Sequence, residues 1–238
     1  MLSGCNALKL AYNNLPEVAY WWLDGYADFD DAQTRRVRED LVALHDWHRT
    51  NELPRWLTLL AQMEQLALQD VSAAQVCSFV PALRRSVSSV AAQSEPFIVA
   101  FGASMSSAQL AYLDRKYRRN NMEFRREWVE LPADELQEKR YKQALGRSER
   151  LYGSLDGEQQ GELRRQVALT PFDPSGALEQ RQQRQQAIRQ MLLGLSVHRG
   201  TMEEARLIPR TTLDGLLDSS MLSETSGRDA ALQQACRS

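Results

Sequence analysis

Apolar residues along this chain recur at three- and four-residue intervals, and no stretch alternates apolar with polar positions as a half-buried strand requires. The pattern predicts an all-α fold: a multi-helix bundle of antiparallel helices with no sheet. Asp31 is placed to cap a helix running to about Thr50, with Val37, Leu41, Leu44, His45 and His48 on one stripe. Pro54 opens the next helix, whose Trp56, Leu59, Leu60, Met63, Leu66 and Ala67 keep helical spacing through Gln69. Residues 31–69 therefore read as an antiparallel helical hairpin.

Three helix starts carry a capping box, in which a Ser or Asp oxygen takes an orphan amide and a Gln three residues on returns to the cap residue's own N–H. They are Ser72 with Gln75, Ser106 with Gln109, and Asp156 with Gln159. The first opens a helix carrying Val76, Phe79, Val80 and Leu83, which Pro81 kinks unless the helix starts later. Ser94-Glu95-Pro96 is expected to break the chain before a short apolar helix over Phe97–Met105. The helix from Ser107 to Glu130 is the most regular, with Leu110, Tyr117, Phe124 and Leu131 seven apart. Pro132 opens another to Tyr152, and a shorter one runs from Gly157 to Ala168. The break from Thr170 to Gly176 precedes a Gln/Arg-rich helix over 177–197. Beyond Pro209 a weak helix is expected to reach Asp218. The chain thus divides into an N-terminal anchor segment (1–17), a helical domain (18–218) and a flexible tail (219–238).

Composition narrows the class. The 238 residues are 43% hydrophobic and 25% charged, which suits a folded globular domain, and the net charge of −2 gives no field of the kind nucleic-acid binders use. No apolar run reaches the length of a membrane-spanning helix.

The N-terminus is more telling. Leu2-Ser-Gly-Cys5 is the pattern of a bacterial lipobox: a thiol to take the lipid, small residues that let a peptidase approach the backbone, and an apolar residue upstream. Cys5 is thus the candidate lipidation site, and the membrane, reached through its acyl chains, the first expected partner. Asn6, rather than Asp, permits outward sorting to the outer membrane, facing the periplasm. No basic and apolar export regions stand before Leu2, so the signal is expected upstream of Met1 or lost from the chain. Cys77 and Cys236 are the other two thiols. In an oxidising compartment they can pair, or Cys77 can stay buried and free.

Six of the 18 aromatic residues lie in one short segment: Tyr12, Tyr20, Trp21, Trp22, Tyr26 and Phe29. Residues 10–34 hold five acids, Glu17, Asp24, Asp28, Asp30 and Asp31, and no Lys or Arg. The block from Asn14 to Gln33, with its Tyr-Trp-Trp-Leu-Asp core following a lipobox, resembles an uncharacterised family of Gram-negative bacterial lipoproteins known only as a domain of unknown function. The likeness covers most of the chain. It implies export, lipid anchoring and an all-helical domain, and brings no activity, ligand or catalytic residue.

Tyr20, Trp21, Trp22 and Tyr26 either anchor the segment in the core, the preferred reading, or form a patch for a partner or lipid head groups. Arg115, Arg119 and Arg126 lie opposite Tyr117 and Phe124 on their helix. They make a solvated outer face or a contact for an envelope protein, anionic lipid or polysaccharide. Asp114 with Arg118 and Arg119 with Glu123 are spaced as ion pairs on that helix. His45 and His48, three apart, suit a shared metal or hydrogen-bonded packing. There is no Gly-x-Ser-x-Gly elbow, phosphate loop or dinucleotide fingerprint. No catalytic residue, metal or cofactor is therefore assigned. The expectation is a lipid-anchored periplasmic interaction or scaffold protein. The alternatives are a periplasmic chaperone or envelope-stress adaptor, and a metal-dependent hydrolase built on His45 and His48 with Asp24 or Asp28.

Overall fold

Pro16 opens helix α1 (Leu15–Ala27), where its missing N–H and fixed φ cost nothing. The helix stops at Asp28, which turns left-handed at φ 51, and the Asp24 carboxylate accepts the Phe29 N–H at 2.9 Å. Two residues later the chain enters α2 (Asp31–Trp47) and folds back along α1. The cap is Asp30, one position earlier than the sequence suggested. Its carboxylate accepts from Ala32 and Gln33 N–H, and Gln33 closes a full capping box. In this computed structural model, residues 9–69, 71–198 and 200–223 are described.

The expected hairpin over 31–69 does not form. Helix α2 passes through a π-helical turn (His48–Glu52) straight into α3 (Leu53–Leu66). The wide turn is how a helix absorbs Pro54, which has no N–H and would crowd the carbonyl four residues back. Side chains meet carbonyls at the turn: Thr50 Oγ1 donates to Asp46 O and Asn51 Nδ2 to Trp47 O, each at 2.9 Å. The short α4 (Ala73–Cys77), capped by Ser72 and Gln75, ends before Pro81, which sits in the first turn of α5 (Val80–Ser104).

Two further prolines correct the sequence reading. Pro96 lies inside α5 without breaking it, and Pro209 lies inside α10 (Met202–Ser223), which starts earlier and runs further than expected. Residues 219–223, assigned to the tail, are helical, and 224–238 lie outside the described residues. Both prolines adjoin the same ion pair. Buried Glu95 takes Arg210 in a two-pronged grip, Nε to Oε1 at 2.9 Å and a terminal nitrogen to Oε2 at 2.7 Å. With Pro209 fully buried and Val99 in the core, packing between α5 and α10 outweighs the roughly 3 kcal/mol that an interior proline costs.

Helix α6 (Ser107–Phe124) starts at the Ser106 box and widens into a second π-helical turn (Arg125–Val129). Then come α7 (Ala133–Tyr152), α8 (Gly157–Leu169), capped by Asp156 and Gln159 as expected, and α9 (Pro174–Val197). Among the described residues there is no strand, and the helices form an all-α bundle. The core gathers Val99 and Met105 at α5, Leu110 and Leu113 of α6, Met191, Leu192 and Leu195 of α9, and Ala205 of α10. Two cap glutamines weld the layer to α2: Gln33 Nε2 donates to Ser104 O at 3.1 Å, and Gln109 Nε2 donates to Asp28 O at 3.0 Å. Helices α5 and α9 approach closely at Gly102, where a Cβ would stand 2.6 Å from Leu195 Cδ1.

Candidate functional site

Helices α1, α2, α5, α6 and α9 leave a cleft of about 670 Å³ between them. Phe97, Ile98 and Phe101 of α5, Leu41 and Leu44 of α2, and Ile188 and Leu192 of α9 make it mainly apolar. Its rim is aromatic: Trp22 and Tyr26 of α1 stand with ring centroids 5.0 Å apart, and Tyr26 is 6.0 Å from Tyr117 of α6. Burial, helped by Tyr26 and Asp114, pushes the Tyr117 hydroxyl up to about 12.

Apart from the tyrosine hydroxyls, polar lining is confined to Asp40, Ser94, Arg181, Arg184 and Gln185. Most of it is already engaged. Asp40 holds Arg36 at 3.0 Å, and Ser94 Oγ donates to Val90 O at 2.8 Å. Arg181 Nε donates to Asn121 Oδ1 at 3.0 Å, and Asn121 Nδ2 donates to Gln185 Oε1 at 2.7 Å. Half-buried Arg184 makes no hydrogen bond or ion pair among the described residues.

The aromatic segment divides in a way the sequence did not reveal. Tyr20 is buried, with its hydroxyl 3.1 Å from Thr34 Oγ1 and Arg38 over its ring, which is the expected core anchor. Trp21 and Trp22 are 62% and 63% exposed, so the preferred core reading fails for both indoles. The reason is the run itself: adjacent residues on a helix point about 100° apart, so Tyr20 facing α2 turns its neighbours outward. Leu10, Leu15 and Val18 are exposed on the same segment.

His48 is engaged, whereas the buried His45 Nε2 has no hydrogen-bond partner among the described residues. The Tyr12 hydroxyl lies 2.9 Å from His48 Nδ1, and its ring is 4.7 Å from that of His45. Asp24 caps the turn at Phe29 instead of approaching either histidine. Among the described residues no three His, Cys, Asp or Glu side chains stand close enough to hold a metal ion. Arg115, Arg119 and Arg126 are exposed. Asp114, expected to pair with Arg118, instead accepts from Arg189 of α9 at 2.8 Å, tying α6 to α9.

One feature went unforeseen. Glu52, fully buried at the π-helical turn, accepts from Ser86 Oγ and Arg55, each at 2.7 Å. Burial alone pushes its carboxyl up, but hydrogen bonds from Ser86 and Ser89 and the charge of Arg55 hold it below the usual carboxylate range. Cys77, expected either to pair or to stay buried and free, is buried and disulfide-bonded. The chain's other cysteines, Cys5 and Cys236, lie outside the described residues.

The fold and cleft define an all-α bundle with an apolar opening between five of its helices. The chain belongs to a family of unknown function, DUF6279, whose model matches residues 25–205. No curated protein and no solved structure matches it. No single helix among the described residues is long and apolar enough to cross a membrane.

Proposed function

We propose that this chain is a lipid-anchored protein of the bacterial envelope that works by binding rather than by catalysis. Acyl chains on Cys5 hold it to the outer membrane, facing the periplasm. The observation that carries the reading is the exposure of Leu10, Leu15, Val18, Trp21 and Trp22 just after the lipobox. Large apolar side chains left in water next to an anchoring cysteine suit a segment that lies in the head-group region. Indoles favour that region because the ring is apolar and its N–H takes a polar partner. Each buried methylene of the anchor adds about 0.8 kcal/mol, so several acyl chains make attachment stable.

Lipidation constrains the disulfide. One sulfur cannot carry both a thioether and an S–S bond, so an acylated Cys5 leaves only Cys236 of the same chain for Cys77. Metabolic labelling with a palmitate analogue, on the chain expressed behind an export signal, tests the reading. Wild type is expected to take label and fractionate with membranes, and Cys5→Ser to remain unlabelled and soluble. Non-reducing peptide mapping should link Cys77 to Cys236. An unlabelled wild type, or a Cys5–Cys77 peptide, overturns the proposal.

A further inference from the structure

One face of α9 changes character along its length. Arg181, Arg184 and Gln185 come first, and Ile188 and Leu192 follow at the helical spacing that keeps all five on the cleft. The run covers about 16 Å of helix axis. A cleft of about 670 Å³ lies within the roughly 300–1,000 Å³ usual for a small-molecule site. Its walls are apolar, its acid Asp40 is neutralised by Arg36, and its remaining charge is positive and concentrated at one end. Arg181 spends its Nε on Asn121. Arg184 has no partner among the described residues, although a half-buried guanidinium offers five donors.

We propose that this cleft binds a long-chain fatty acid, with its carboxylate between Arg184 and Arg181 and its hydrocarbon chain along Ile98, Ile188 and Leu192. An arginine fork matches a carboxylate, and an apolar slot beyond it matches a single acyl chain. Trp22, exposed and on the rim, places the mouth beside the apolar residues that follow Cys5. The proposal goes beyond membrane attachment and does not depend on it. Failed acylation of Cys5 would leave the cleft as it is, and failed fatty-acid binding would leave the anchor.

The test is equilibrium dialysis of the full-length Cys5→Ser chain, which carries no lipid of its own to compete. The probes are radiolabelled palmitate, hexadecanol and lysophosphatidylcholine. Palmitate is expected to bind saturably at one per chain. Arg184→Gln should weaken it about tenfold, the value of one charge-assisted contact, and leave the weaker binding of hexadecanol unchanged. Ser94→Trp, which fills the slot from its wall, should abolish uptake of both. If that variant does not fold, the Arg184→Gln comparison still decides, since a half-exposed surface arginine is dispensable for folding. Absence of saturable palmitate binding overturns the proposal. So does palmitate binding indifferent to Arg184→Gln, or lysophosphatidylcholine bound as tightly as palmitate, which would assign the cleft to a zwitterionic lipid.

Discussion

Helices α5 and α9 meet twice, and the two meetings differ. At Gly102 they touch so closely that Leu195 fills the space a side chain would need, and Leu195 is 1% exposed. One to two turns away, Ile98 of α5 and Ile188 of α9 are only partly buried and line the open cleft. The residue types are equally apolar at both places, so hydrophobicity alone does not explain the gap. Glycine permits close approach at one end. At the other, Trp22 and Tyr26 of α1 and Leu41 and Leu44 of α2 complete the walls of the cleft. A tight end next to an open one is what separates a fold's stability from the site it presents.

The contrast predicts unequal costs. Leu195→Ala, in the closed end, should lose about 2–5 kcal/mol, while Ile188→Ala, on the cleft, should lose at most about 1 kcal/mol. Chemical denaturation of both variants checks the ratio, and equal losses would show that the cleft packs like the core. Gly102→Ala should cost about 1–3 kcal/mol by driving its Cβ into Leu195, with a corresponding fall in Tm.

Tyr117 sharpens the picture from the cleft wall. Its hydroxyl, raised to about 12 in the fold against about 10 in an unfolded chain, contributes stability that is complete below pH 10. That contribution is lost as pH rises through 12. An alkaline spectrophotometric titration compared with Tyr117→Phe measures it, and titration near 10 would mean the wall is fully wet. The smallest effect is expected at α1: Trp21→Ala should change stability by no more than about 0.5 kcal/mol while lowering binding to anionic vesicles.

How much of this was legible in the sequence follows from the range of each signal. The capping boxes at Ser72, Ser106 and Asp156 read correctly because every atom involved lies within four residues. Prolines misled where a distant contact decides. Pro96 and Pro209 stay helical because Glu95 and Arg210, far apart in sequence, lock α5 to α10. Pro54 is absorbed by a π-helical turn that no hydrophobic period announces. Periodicity showed that Tyr20, Trp21 and Trp22 occupy three helical directions but not which of them faces α2. The cleft was invisible for the same reason, since its lining comes from five helices and no two adjacent in the chain would reveal it.

The most direct test of the open end is lipid mass spectrometry on acyl-free Cys5→Ser chain purified from the bacterial envelope without detergent. A single-chain fatty acid recovered at close to one per molecule, and lost in Arg184→Gln, is the predicted result. Chain recovered with no such lipid, or with equal amounts in both proteins, would contradict the account.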